Sequence, residues 1–231
     1  HYAKIIEDSK GQSQIIVSDD DWKDQTYFLF TLKPEVVSKI LFPIGHLKKP
    51  EVRKIAEEKG LLNARKKDST GICFVGNGDY AAFVEQHADR KLLKPGFIKK
   101  HPTGEVVGEH TGIHKFTYGQ RKGIPLYHQE STPSYVLKID AESNTVWVGD
   151  EKYLYFDKTH IVNTNWFDDI SEEETLRVKV RYAHTGTGAR IRKNPDGSAE
   201  IIFTEPVRAI TPGQAAVVYR GNQLLGGGWI L

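Results

Sequence analysis

The chain has 231 residues, enough for one large domain or two small ones, and its 39% hydrophobic and 27% charged residues are ordinary for a globular protein. Its net charge of +2 is too small to indicate a nucleic-acid-binding protein by itself. No run approaches 18 apolar residues and no signal peptide is visible, so we expect no membrane span. The single cysteine, Cys73, excludes an internal disulfide and fits a reducing compartment, so we expect a cytoplasmic location.

The charge is distributed unevenly along the chain. Residues 48–67 carry eight Lys or Arg against three Glu, and residues 90–122 carry eight against two acidic residues. Residues 140–175 carry two basic against ten acidic residues. Such segregation can give a folded chain one basic face, although each run taken alone is also explained by ordinary solvated surface.

The chain opens with short apolar runs at residues 1–6 and 15–17, which predict strands. The polar cluster Asp19–Gln25 then leads into the aromatic run Tyr27–Phe30. This pattern is typical of a turn and helix cap before a core helix. It also fits a binding loop on a rigid element, and the residues alone leave both interpretations open.

Helical spacing of apolar residues predicts three helices. The first covers residues 34–41, and the second covers residues 50–59 with Val52, Ile55 and Ala56 as its apolar stripe. Asp79 is placed to cap the third, in which Tyr80, Phe83, Val84 and His87 follow at i, i+3, i+4 and i+7. His87 is then a residue at the edge of a helix rather than a metal ligand.

From Leu93 onwards the pattern changes to short alternating segments separated by turn residues. The runs 135–140 and 145–148 flank a four-residue turn and predict a β-hairpin. His101, His110 and His114 lie in a segment rich in glycine and cations, but no cysteine or carboxylate partners complete a ligand set, and Gly112 interrupts the spacing. We therefore expect no metal site.

The last third of the chain predicts a small β-barrel. Residues 176–182 alternate strictly, with Leu176, Val178 and Val180 expected to face the interior and Arg177, Lys179 and Arg181 the other side. Further strands are predicted on either side of the turns at 194–197 and 221–222. Closely spaced strands with such turns are typical of a barrel.

Cys73 has two interpretations on its own. It follows Lys66, Lys67 and a short polar run that ends in Gly71, and nearby positive charge favours a reactive thiolate. A free cysteine is also often a small apolar residue packed in a core.

Several stretches together resemble the tRNA-specific 2-thiouridylases. They run from one end of the chain to the other: His1–Ala3, Lys23–Leu29, Phe42–Gly45, Lys67–Phe74, Thr117–Gly123, Val180–Tyr182, Arg208–Val217 and Gly226–Gly228. Members of that family also have an upstream nucleotide-binding region with a glycine- and serine-rich pyrophosphate loop, a catalytic Asp and a nucleophilic Cys, and none of these is in this sequence. The resemblance therefore implies the later part of such an enzyme, a fragment that we expect to be inactive alone.

The fold implied is α+β and mostly β after residue 93. Residues 1–92 would be the remainder of the adenine-nucleotide-hydrolase-like catalytic domain, with a helical part that contacts tRNA. Residues 93–158 would be a small central β domain. Residues 159–231 would be a C-terminal β-barrel resembling those of translation factors.

The resemblance implies that the enzyme uses ATP to adenylate the 2-oxygen of the wobble uridine in tRNA. The substrates would be tRNAs of the Lys, Glu and Gln types, and the ATP site would lie mostly in the upstream region. Sulfur would come from a persulfide on Cys73, loaded by a sulfur-relay protein or a cysteine desulfurase. The residues implied to contact tRNA are His1, Lys23, Asp24, Gln25, Arg181, Tyr182 and Gln214. Lys and Arg suit phosphates, Asp and Gln suit base edges, and Tyr suits stacking on an unpaired base.

Two other functions remain as alternatives. The chain could be a non-catalytic RNA-binding module with translation-factor-like barrels. A tRNA methyltransferase ranks lower, because no glycine-rich cofactor loop follows a strand.

Overall fold

The computed structural model of the chain describes residues 1–66, 80–89, 93–128 and 132–231. Three α-helices lie in these ranges: α1 (Pro34–Val37), α2 (Lys49–Glu58) and α3 (Tyr80–His87). The strands are β1 (Ala3–Glu7), β2 (Ser13–Val17), β3 (Gly96–Lys100), β4 (Val106–His110), β5 (Tyr135–Asp140), β6 (Thr145–Gly149), β7 (Tyr155–Trp166), β8 (Leu176–Lys179), β9 (Thr187–Lys193), β10 (Ala199–Arg208), β11 (Ala215–Arg220) and β12 (Gln223–Ile230). Short 3-10 helices cover Thr26–Thr31, Ile113–Lys115 and Glu151–Leu154.

The chain divides into two compact units. One unit combines residues 1–66 with residues 157–231, and the other consists of residues 67–156. The predicted α+β class with mostly β structure after residue 93 is confirmed. In the described part of the chain, no helix is long and apolar enough to cross a membrane.

The first unit contains an eight-stranded sheet in the order β1-β2-β12-β11-β8-β9-β10-β7. β12 also pairs with β7, and this pairing closes the last six strands of that order into the predicted barrel. The barrel interior is apolar because alternate residues of each strand point inwards. Leu176, Val178, Val180, Ile191 and Ile201 are among the side chains buried there.

A second apolar cluster lies on the outer side of the barrel. Ala215, Val217 and Tyr219 of β11 point away from the interior, and the segment from β1 to α1 covers them with Ile15, Leu29 and Phe30. β11 is therefore buried on both faces, which explains why residues 215–219 form an unbroken apolar run rather than an alternating one.

Two of the predicted helices differ from the expectation. α1 ends at Val37 instead of Leu41. α2 forms as predicted, with the backbone N–H of Lys48 donating to Glu51 Oε2 at 2.7 Å. Its expected apolar stripe is not buried, however, and Ile55 is 44% exposed.

The second unit contains a four-stranded sheet in the order β4-β3-β6-β5. The predicted hairpin of β5 and β6 is present, with Tyr135 opposite Gly149 and Asp140 opposite Thr145. β3 pairs with β6 in parallel, and Ile98, Val136, Val146 and Val148 form the core beneath.

Candidate nucleic-acid interface

The polar cluster Asp19–Gln25 folds into a turn that uses its own carboxylates. Asp24 Oδ1 accepts a hydrogen bond from the Ser18 backbone N–H at 3.0 Å, and its Oδ2 accepts one from Thr26 Oγ1 at 2.6 Å. Asp20 Oδ2 accepts from the backbone N–H of Lys49 at 2.8 Å. Buried and half-buried backbone donors need such partners, so these bonds fix the shape of the turn.

Gln25 links this turn to the beginning of the first strand. Its side-chain Oε1 accepts from the Tyr2 backbone N–H at 2.9 Å, and its own N–H donates to the Tyr2 carbonyl at 2.9 Å. His1 lies next to this junction with its ring edge-on to Phe42, 6.3 Å between centroids. The side chains of Asp24 and Gln25 therefore stabilise the conformation of this loop.

The alternation predicted for residues 176–182 is confirmed up to Val180. Leu176, Val178 and Val180 are at most 3% exposed, whereas Arg177, Lys179 and Arg181 are only partly buried. The strand itself ends at Lys179, because the chain then turns: the backbone N–H of His184 donates to the Arg181 carbonyl at 3.0 Å.

The three cations have different surroundings. Arg177 donates to the carbonyls of Thr185 and Gly221 at 3.3 and 3.2 Å, and its guanidinium lies 4.5 Å from the centroid of the Tyr219 ring. Arg181 donates one hydrogen bond to the Arg208 carbonyl at 3.0 Å. Since a guanidinium has five N–H donors, Arg181 can bind a second acceptor.

Lys179 is half-buried beside aromatic rings. Its Nζ lies 6.0 Å from the Tyr27 ring centroid and 5.6 Å from that of Tyr182. Burial lowers the pKa of Lys179, and Asp24 partly opposes that effect. A partly desolvated ammonium interacts strongly with an incoming phosphate, because little water screens the pair.

Tyr182 forms an exposed aromatic cluster with the residues of the Thr26–Thr31 helix. Its ring stacks on Phe28, with centroids 4.9 Å apart and planes 29° apart, and meets Tyr27 edge-on at 6.2 Å. Tyr27 is anchored in turn, because its hydroxyl donates to the Ala215 carbonyl at 2.9 Å. Tyr182 is still 39% exposed and Phe28 51%, so the pair presents a fixed aromatic surface.

Tyr182 lies between two open cavities. The Lys179 cavity, of about 540 Å³, is lined by Trp22, Asp24, Lys179, Tyr182 and His184 among others. The Gln214 cavity, of about 510 Å³, is lined by Phe28, Tyr182, Gln214 and Trp229 among others. The fold therefore brings Asp24, Tyr182 and Gln214, predicted from distant parts of the sequence, to one surface.

The other predicted residues are placed differently. Three of them are adjacent in sequence to cavity-lining residues but do not line a cavity themselves: Lys23, Gln25 and Arg181. His1 lies beside Phe42. Cys73 lies outside the described residues. Among residues that the structure describes, no group of three or more His, Cys, Asp or Glu side chains could hold a metal ion.

Several residues of this surface were not predicted from the sequence. His184 lines the Lys179 cavity, and its Nδ1 accepts a hydrogen bond from the Val180 backbone N–H at 3.3 Å. Trp22 lines the same cavity, and Trp229 lines the Gln214 cavity. Only Trp22 left a signal in the sequence, as a single aromatic residue within a run of charged ones.

Three family models match consecutive parts of the chain. They are described as a tRNA methyl transferase HUP domain (residues 1–77), a tRNA methyl transferase PRC-barrel domain (residues 81–150) and an aminomethyltransferase beta-barrel domain (residues 156–230). Together they define a multidomain protein that combines a HUP domain, a PRC-barrel domain and a C-terminal β-barrel.

Curated relatives narrow this class further. The tRNA-specific 2-thiouridylase MnmA of Acidithiobacillus ferrooxidans is 43% identical over 100% of this chain and 65% of its own length. The proteins of the same name from Magnetococcus marinus and Deinococcus radiodurans are 41% and 42% identical over 100% of this chain, and over 64% and 60% of their own lengths. The chain belongs to the tRNA-specific 2-thiouridylase family. It spans somewhat less than two thirds of the relatives that it matches.

These relatives also bear on the methyltransferase alternative. The family models carry the words methyl transferase, but the whole-chain relatives are named thiouridylases. The names of the relatives therefore favour the thiouridylase interpretation over the methyltransferase alternative.

Proposed function

We propose that the protein containing this chain thiolates the 2-position of the wobble uridine in tRNA. The observation that carries the proposal is the surface around Tyr182, where a fixed aromatic pair lies between two cavities beside a half-buried lysine. Stacking rings and partly desolvated cations are what an unpaired RNA loop requires. Membership of the thiouridylase family supports the same conclusion.

ATP is the proposed co-substrate, and it would convert the uridine 2-oxygen into a leaving group by adenylation. HUP-domain membership supports this use of ATP. We assign no described residue to the nucleotide.

The sulfur step is proposed for Cys73. The terminal sulfur of its persulfide attacks C2 of the adenylated uridine, the C2–O bond breaks, and AMP leaves. A second thiol, by resemblance that of an upstream cysteine, then attacks Cys73 Sγ, which releases 2-thiouridine and leaves a disulfide between the two cysteines. A dithiol reductant would then return both cysteines to thiols, and a sulfur-relay protein or a cysteine desulfurase would reload Cys73.

The proposed tRNA contacts are those of His1, Lys23, Asp24, Gln25, Arg181, Tyr182 and Gln214. Asp24 and Gln25 would contribute through the loop that they hold in place, and Tyr182 and Gln214 through the cavities that they line. We further propose that residues 1–92, 93–158 and 159–231 are three domains of the protein, of which the third packs in one compact unit with residues 1–66. We also propose that tRNAs of the Lys, Glu and Gln types are the substrates and that the protein works in the cytoplasm.

The binding test compares two neighbouring residues in the full-length protein. Arg181→Ala should weaken tRNA binding by about 1–2 kcal/mol and flatten its salt dependence, because a phosphate contact is lost. Tyr182→Ala should cost about 1–3 kcal/mol with little change in the salt slope, because stacking is lost. Ile202→Ala, an exposed apolar residue of β10, is the matched control and should change neither. Parental affinity and slope in both folded variants would contradict the assignment.

The activity test uses unmodified tRNA, ATP and a persulfide donor, with 2-thiouridine measured by nucleoside analysis. Cys73→Ser should abolish 2-thiouridine and leave adenylated tRNA, because a hydroxyl cannot carry the persulfide. Binding of tRNA by the parent without any 2-thiouridine would instead favour the non-catalytic RNA-binding module. Undiminished thiolation by the variant would remove Cys73 from the mechanism.

A further inference from the structure

Trp22 is exposed to an unusual extent. The residue is 90% accessible to solvent, and among the described residues its indole has neither a ring contact nor a hydrogen bond. Tryptophan carries a large apolar area and is normally well buried, so a folded chain gains nothing by holding this ring in water. An indole kept in such a position is available to a ligand.

The turn that carries Trp22 is tightly held. The Asp19 backbone N–H donates to the Gly45 carbonyl at 2.9 Å, and the Lys23 N–H donates to the Asp20 carbonyl at 3.0 Å. The carboxylate of Asp24 closes the turn on the Ser18 N–H. The backbone beneath Trp22 is therefore preorganised, which lowers the entropy cost of binding through this ring.

Charged and polar side chains line the Lys179 cavity together with the indole of Trp22. Its volume of about 540 Å³ falls in the range of small-ligand sites. Lys179 supplies a cation, and Asp21 supplies a carboxylate. His184 accepts the Val180 N–H at Nδ1, so its neutral ring carries the proton at Nε2 and can donate there. Tyr182 links the cavity to the tRNA surface proposed above.

We propose that Trp22 is the stacking platform of a subsite for one unpaired nucleotide of the tRNA. The base lies on the indole, and the adjoining phosphate meets Lys179. A nucleotide fits this site better than a peptide does, because it offers a flat π-face and an anionic group close together. The inference rests on the proposed function, since the nucleotide belongs to the tRNA substrate.

The test measures binding of unmodified tRNA to the full-length protein. Trp22→Ala should weaken binding by about 5- to 150-fold without changing the salt slope, because stacking rather than a phosphate contact is removed. Trp22→Tyr should retain most of the affinity, since it keeps a π-face. Leu41→Ala, an 89% exposed apolar residue in the same unit, is the matched control and should bind like the parent.

Fluorescence tests the stacking directly. The chain has four tryptophans, and binding of tRNA should quench the emission of Trp22. Trp22→Phe should lose that part of the quenching while it still binds tRNA. Equal quenching by free uridine monophosphate at the concentrations at which tRNA binds would show a mononucleotide site and overturn the proposal.

Failure of this inference differs from failure of the proposed function. A parent protein that binds and thiolates tRNA, together with a Trp22→Ala variant of equal affinity, would overturn the Trp22 subsite alone. A parent that neither binds nor thiolates tRNA would overturn both.

Discussion

His184 shows how one side chain can connect folding to pH. Its Nδ1 accepts the Val180 N–H at 3.3 Å, where the chain turns after β8. Burial lowers the pKa of His184, and the positive charges of Arg181 and Lys179 lower it further. The protonated ring would lose the acceptor at Nδ1 and would face two cations, so the folded state holds the neutral form.

This predicts a loss of stability in mild acid. The unfolded chain takes up a proton at His184 near the ordinary pKa of 6.5, whereas the folded chain resists it down to a lower pH. The free energy of unfolding should therefore fall as pH decreases from 6.5 towards the folded pKa. His184→Asn keeps an acceptor near Nδ1 and cannot titrate, so its urea unfolding should vary less over pH 5–7. An identical pH dependence in parent and variant would refute this.

Asp24 is a second case at the residue scale. The sequence alone left open whether it caps a turn or contacts tRNA, and its two oxygens are bonded to Ser18 and Thr26. Asp24 therefore stabilises the turn in the folded chain. A tRNA role would have to use the remaining acceptor capacity of the same carboxylate.

At the scale of elements, β12 is the strand that closes the barrel. It pairs with β11 on one side and β7 on the other, and Gly226–Gly228 lie where both neighbours approach closely. A Cβ added to Gly226 would lie 2.1 Å from the Asn165 carbonyl oxygen, and the residue has φ of +141°. Only glycine satisfies both conditions.

Gly226→Ala should therefore lower the free energy of unfolding by at least about 2 kcal/mol, because it adds both a clash and backbone strain. Gly221→Asn is the matched control in the β11–β12 turn. There φ is +58° and a Cβ would meet no atom within 4 Å, so a change within about 0.5 kcal/mol is expected. Equal stabilities of both variants in urea titrations would show that the closing strand tolerates a side chain.

At the scale of the whole molecule, the barrel shares a unit with the beginning of the chain. Residues 1–66 and 157–231 form this unit, and Tyr27, Leu29 and Phe30 cover the outer face of β11. Burial of these three side chains stabilises the unit by about 5–9 kcal/mol, which is comparable with the total stability of a small domain. The carboxamide of Asn165 adds hydrogen bonds to the Phe30 and Leu32 carbonyls at 2.6 and 2.7 Å.

We therefore expect residues 157–231 expressed alone to show no cooperative thermal unfolding. Co-expression with residues 1–66 should restore a cooperative transition, since it supplies the missing apolar cover. Calorimetry and near-UV circular dichroism would measure both samples. A cooperative transition of the isolated barrel at the same temperature as in the full chain would show that the N-terminal segment contributes little.

The sequence determined the features that depend on local pattern. Alternation placed Leu176, Val178 and Val180 inside the barrel, and a four-residue turn between apolar runs predicted the β5–β6 hairpin. Motif resemblance identified the family and proposed Cys73 as the sulfur carrier. Each of these signals is contained in a short stretch of sequence, so none of them required knowledge of contacts between distant residues.

Only the tertiary structure decided what depends on contacts between distant residues. Tyr182 stacks on Phe28 across 154 positions, β7 closes the barrel on β12, and the apolar stripe of α2 remains partly exposed. No local spacing encodes which surfaces meet, because burial is set by the whole packed arrangement. For the same reason the exposed Trp22 became recognisable as a candidate base platform only once the cavity beside it was known.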